Sequence, residues 1–323
     1  MPSKAHRRRH RPRFDGLESR QLLSTTALPD LIASTTGSVT QRQAISQTSI
    51  TIEPKNITPH KPYTIFAVFV QPSATSALAP RIVSVLGTNG KPLSVQYGRP
   101  YVPGGGDAPT NEAVAFVKVS QPGPLTVRVA GQDDTTGSYT METTLPGDMN
   151  GDGQVTIADL PLFAAAYESH PDSANYNPAA DFRQNGIVNL YDAKILMHNM
   201  TPVSDNVPLD AQINLSPADQ AKYPTSQNSG GETDKAKVTI VGHTTPGSIV
   251  ITDTSAQDYT FQGAAYPTNA KGYFLIPTTN TSGINNNDLL ILDPFGRQLT
   301  RSYPILWIPF AQPHSSLGNK PGL

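Results

Sequence analysis

From residue 46 to 146 short apolar runs alternate with polar ones and are divided by Gly, Pro, Asn and Ser. Leu125, Val127 and Val129 alternate with Thr126 and Arg128, the period-two pattern of a half-buried strand. The pattern predicts strands at 49–52, 63–70, 81–86, 93–97, 113–119, 125–129 and 138–145. Turn signals separate them, among them Thr88-Asn89-Gly90 and Gly104-Gly105-Gly106-Asp107. Seven short strands in about 100 residues predict a β-sandwich. A second β pattern occupies 234–310, where Pro246-Gly247 suits the centre of a type II turn and Trp307 and Phe310 are expected to cap the core. Between the two the period changes. Leu160, Phe163, Ala164 and Tyr167, and again Ala193, Leu196, Met197 and Met200, fall at i, i+3, i+4, i+7, one face of a short helix in each case. Pro161 is tolerable in a first turn.

The remaining stretches lack sustained periodicity. Residues 1–45 read as a basic leader and a Ser/Thr-rich linker, 202–233 as a Pro- and Gly-bearing linker, and 311–323 as a tail. The fold class is therefore mainly β with a small α insert: two β-sandwiches flanking a loop–helix module at 147–201.

Composition narrows the chemistry. The 323 residues include no cysteine, which removes disulfides, thiolate metal sites and thiol nucleophiles together. Thirty prolines and a charged fraction of 15% fit small β domains better than a large α/β enzyme. The net charge of −1 hides an asymmetry, since residues 1–20 hold seven Lys and Arg against Asp15 and Glu18. No basic domain stands behind that run, so no nucleic-acid partner is expected. No stretch is long and apolar enough for a membrane span.

The loops that precede the two helical patterns carry the most informative chemistry. Residues 148–159 place oxygen-bearing side chains at positions 1, 3, 5, 9 and 12 (Asp148, Asn150, Asp152, Thr156 and Asp159) and Gly153 at position 6. That is a calcium-loop arrangement: alternate residues point inward, and the glycine turns the chain so that the Gln154 carbonyl serves at position 7. Thr156 would bind directly or through water. A second loop starts 33 residues later, with Asp181, Asn185, Gly186, Asn189 and Asp192 at positions 1, 5, 6, 9 and 12 and the Ile187 carbonyl at position 7. Arg183 replaces a donor at position 3, so the ligand charge falls from −3 to −2 beside a new cation. One Ca2+ site is expected, with the second weaker or empty.

These two loop–helix units, each ending its loop in Asp, resemble the duplicated repeat of the type I dockerin family. The resemblance implies calcium binding and a cohesin-like or other cell-surface partner. In that family loop positions 10 and 11 help to choose the partner. Here they are Ile157-Ala158 and Leu190-Tyr191, not the hydroxyl pairs often found there, which puts a cellulosome-type partner in doubt. Tyr191 reads equally as an interface anchor or a partly buried core residue. The segment Arg13-Phe14-Asp15-Gly16-Leu17-Glu18-Ser19-Arg20-Gln21-Leu22-Leu23-Ser24 is similar to the leader of many planctomycete extracellular proteins, which implies an extracellular or cell-surface location. The Thr245-Pro246-Gly247 turn with Gly272-Tyr273-Phe274 and Asp293-Pro294-Phe295-Gly296 resembles a bacterial Ig-like domain, and residues 124–141 faintly resemble the closing strands of a bacterial pre-peptidase-type domain.

No His-Glu-x-x-His, Gly-x-Ser-x-Gly or phosphate-loop pattern is present. Glu53, Glu112 and Glu142 read as surface acids rather than paired catalytic carboxylates. The expectation is a non-catalytic modular protein for attachment or display. The alternative makes the first sandwich an accessory carbohydrate-binding domain in polysaccharide degradation, with Tyr97, Tyr101 and the loop 104–106 as its platform.

Overall fold

The computed structural model describes residues 30–98, 112–206, 208–221, 231–253 and 263–307. Eight strands build the first domain: β1 (Leu31–Val39), β2 (Ile45–Ile52), β3 (Thr64–Pro72), β4 (Pro80–Leu86), β5 (Val95–Gly98), β6 (Ala113–Val119), β7 (Gly123–Gly131) and β8 (Gly137–Thr144). A five-stranded sheet in the order β1-β8-β3-β6-β5 faces a three-stranded sheet β2-β7-β4, with antiparallel pairing throughout. Between them Ile50, Ile52, Phe66, Val68, Val70, Leu125, Val127 and Val129 are buried, as the period-two pattern requires. Tyr139 crosses the gap. Fully buried on β8, its hydroxyl meets Ser46 Oγ at 3.0 Å and Thr48 Oγ1 at 2.9 Å on the opposite sheet.

The expected linker within 1–45 is corrected here, because residues 31–39 form β1 along the edge of β8. Its sequence is dominated by small and hydroxylated residues and only Val39 is buried, so hydrophobic periodicity is nearly absent. A side chain at Gly37 would collide with the Tyr139 ring, 2.3 Å from its nearest atom.

The central module has two helices, α1 (Leu160–Ala166) and α2 (Leu190–Asn199). Of the expected core positions, Leu160, Phe163, Tyr167, Ala193, Leu196, Met197 and Met200 are buried, and Ala164 is half-buried against the core. The second β domain comprises β9 (Gln212–Leu215), β10 (Gly231–Thr233), β11 (Lys237–His243), β12 (Ile249–Asp253), β13 (Ala265–Pro267), β14 (Tyr273–Thr279), β15 (Gly283–Leu292) and β16 (Gln298–Trp307). These form a five-stranded sheet β10-β16-β15-β12-β13 and a three-stranded sheet β14-β11-β9. The 202–233 linker is thus a second correction: β9 and β10 lie inside it and complete the domain, β10 pairing in parallel with β16. Both are too short to show a period. Gly247 sits in the expected turn with φ of 76°. Trp307 is half-buried at the end of β16, and Phe310 lies outside the described residues.

The three parts share packing. Val250, Leu289 and Ile291 point into the second sandwich, whereas Ile249, Ile251, Leu290, Leu292 and Ala265 join the cluster that contains Phe163, Leu196 and the first sandwich core. The sheet β12–β15 is therefore apolar on both faces, and α1 packs beside β13.

Candidate metal centre

The two loops fold alike because equivalent residues meet equivalent backbone groups. Asp148, at position 1, accepts the amide N–H groups of Asp152 at 3.1 Å and Gly153 at 2.8 Å, and Asp181 accepts those of Asn185 at 3.0 Å and Gly186 at 2.7 Å. At position 12, Asp159 accepts from Asn150 N at 3.1 Å and Thr156 N at 2.7 Å, as Asp192 accepts from Arg183 N at 3.3 Å and Asn189 N at 3.0 Å. Position 8 is a buried valine in each loop. Val188 exchanges two backbone hydrogen bonds with the segment after α1, and the Val155 carbonyl accepts from Thr201 N, after α2. Each repeat is thus tied to the other by backbone hydrogen bonds.

Gly153 and Gly186 take φ of 85° and 79°, the left-handed turn that position 6 needs. Position 4 is left-handed as well, a feature the ligand pattern did not reveal. Gly151 adopts it at 77° without penalty, and Gln184 adopts it at 48° with Oε1 buried and lacking a hydrogen-bond partner among the described residues.

Asp148, Asp159, Asp181 and Asp192 are buried, whereas Asn150, Asp152 and Gln154 are exposed and Thr156, Asn185 and Asn189 half-buried. Burial pushes the Asp148 carboxyl up to about 6, the charges of Asp159 and Asp152 adding to it and the Gly153 and Gly151 amides opposing it. Burial likewise raises Asp159. Asp192 is lifted to about 7 by burial and by Asp181, while the Arg183 amide and guanidinium pull the other way. Negative charge in the first loop is therefore under-compensated by the protein itself, and every donor there is a hard oxygen. That set suits Ca2+. No cluster of three His, Asp or Glu side chains forms a metal cage by itself among the described residues. Asn150, Thr156 and the Gln154 carbonyl are the further oxygens that would complete a donor set with the carboxylates. In the second loop Arg183 lies over the Tyr191 ring, 4.8 Å from its centroid, and Tyr176 Oη donates to Asp181 Oδ2 at 3.1 Å. The chain supplies there part of what a cation would.

Positions 10 and 11 divide by exposure. Ile157 and Leu190 are half-buried and pack on the core, Ala158 is exposed, and Tyr191 is 62% exposed. Of the carbohydrate platform, Tyr97 is exposed on the edge strand β5, and Tyr101 and residues 104–106 lie outside the described residues. No described helix is long and apolar enough to cross a membrane.

Among curated proteins none matches the sequence. A solved structure of a protein described as membrane anchored, from Corynebacterium diphtheriae, is similar over 88% of this chain and 53% of that one, at 10% identity and a TM-score of 0.21. The chain spans about half the length of that structure, and so low a likeness carries no argument. The family comparison falls on the centre itself: residues 146–201 match the dockerin type I domain, a module that binds calcium and docks to cohesin partners in extracellular assemblies.

Proposed function

We propose that the chain is a non-catalytic extracellular protein that binds calcium chiefly through residues 148–159 and attaches, through its dockerin module, to a cohesin-like partner. The observation that carries this reading is the duplicated carboxylate scaffold, with Asp148 and Asp159 repeated by Asp181 and Asp192 on the same amide groups. When bound, the ion supplies the positive charge that the buried carboxylates lack. Asp148, Asn150, Asp152, Thr156, Asp159 and the Gln154 carbonyl would hold it. The second loop would bind more weakly, because Arg183 stands at a donor position and Tyr176 already occupies Asp181.

On the partner side, Tyr191 offers an exposed aromatic stacked by Arg183, with Ile187 exposed four residues before it. Aromatic and Arg side chains are the residue types that dominate interface energetics. Glu53 pairs with Lys55 at 3.6 Å and Glu142 is half-buried on β8, in keeping with structural rather than catalytic roles.

The test is capture of a panel of cohesin domains by the full chain, with calcium and with chelator, alongside a calorimetric calcium titration. Calcium-dependent capture is expected. Absence of calcium binding, or capture indifferent to chelator, would refute the proposal. The exposed Tyr97 favours one further reading, a carbohydrate contact on β5, which retention of the full chain on insoluble glycans would reveal.

A further inference from the structure

One turn of the first sandwich touches the central module at two places. A single 3-10 turn, Pro54–Asn56, lies between β2 and β3, and its Asn56 is 3% exposed. Asn56 Oδ1 accepts the Glu53 amide at 3.1 Å and its backbone N–H donates to the Glu53 carbonyl at 3.0 Å, so the side chain is held in one orientation. Its Nδ2 donates to the Gly153 carbonyl at 2.9 Å, across 97 residues of chain. Two residues further on, Thr58 Oγ1 donates to the Asn199 carbonyl, at the end of α2, at 2.7 Å.

Gly153 is position 6 of the first loop. Its carbonyl belongs to the peptide plane whose N–H, on Gln154, donates to Asp152 Oδ1 at 2.8 Å. Asn56 thus grips the far side of the peptide that orients position 5, Asp152, and that precedes the position 7 carbonyl. The approach is close, since a Cβ at Gly153 would lie 3.1 Å from Asn56 Nδ2 and 3.0 Å from Lys55 Cε.

We infer that Asn56 is a positioning residue for the first calcium loop, so that the sandwich turn that carries it forms an outer wall of the metal site and calcium binding is coupled to that turn through the Asn56–Gly153 contact. The inference rests on the calcium reading above. A peptide already fixed in its bound orientation costs less entropy to order when the ion arrives. Coupling is reciprocal, so calcium must tighten the turn as much as the turn tightens calcium.

The experiment uses the full chain and calcium alone, with titration calorimetry and amide hydrogen exchange. Asn56→Ala is expected to weaken the first site about 3- to 10-fold, the loss of one buried hydrogen bond. In the wild-type chain, calcium is expected to slow exchange across 53–58, and this arm needs no variant to fold. Thr58→Val loosens the same turn away from the loop and is expected to bind calcium nearly as the wild type does. Wild-type affinity in Asn56→Ala, equal weakening in Thr58→Val, or exchange at 53–58 indifferent to calcium would each overturn the inference. A wild-type chain that binds no calcium would instead overturn the reading on which it rests.

Discussion

Asn199 shows what a single polar side chain does at a buried junction. Fully buried, it donates from Nδ2 to the carbonyls of Ile65 and Pro146 at 2.8 and 2.9 Å, and accepts Ile65 N at 2.8 Å. Asn199→Ala would strand three backbone groups away from water, and thermal or denaturant unfolding should show a loss on the order of 3 kcal/mol. Asp30 is the opposite case, a buried carboxyl with Oδ1 unpaired among the described residues, raised from 3.8 to about 7 by burial and by Asp148 and Glu142. The folded chain holds a proton that the unfolded chain releases, so stability falls as pH rises from about 4 to 7. Asp30→Asn should flatten that slope in saturating calcium, read as thermal midpoints across pH 4 to 8. Gln184 yields a stabilising change. Gln184→Gly relieves a left-handed non-glycine and should raise stability by roughly 1 kcal/mol, seen in denaturant unfolding.

Among the elements, the loops and their helices were legible in sequence because a ligand pattern is local: donor spacing and the position 6 glycine lie within twelve residues. The helix faces were legible for the same reason. Three edge strands were not, since β1 buries little and β9 and β10 are only four and three residues long. The continuous apolar runs Ile249-Val250-Ile251 and Leu289–Leu292 did hold a signal, because unbroken apolar strands are buried on both faces. They mark the sheet that packs on α1. Threonine at both Ile251 and Leu290 should detach this sheet while leaving the inner core of Val250, Leu289 and Ile291 intact. Small-angle scattering should then show a larger radius of gyration, with the strand signal in circular dichroism unchanged.

Across the whole molecule, the two sandwiches and the dockerin share one buried cluster and a set of cross-links. Lys61, on the first sandwich, donates to the Met197 carbonyl at 3.5 Å and to the Pro294 carbonyl in the β15–β16 hairpin, so one ammonium reaches the other two parts. His198 stacks on Tyr63 with centroids 4.6 Å apart. Ligand binding to the folded state alone stabilises by about 2.7 kcal/mol at a hundredfold excess over the dissociation constant. A thermal scan with chelator should therefore lower the first transition by several degrees and broaden it. The apolar face beside α1 makes the dockerin module a poor candidate for transplantation. Spliced out at 146–201 and grafted onto another protein, it would carry bare the surfaces that Ile249, Ile251 and the Ile65 edge now cover, and the graft would trade a connector for an adhesive.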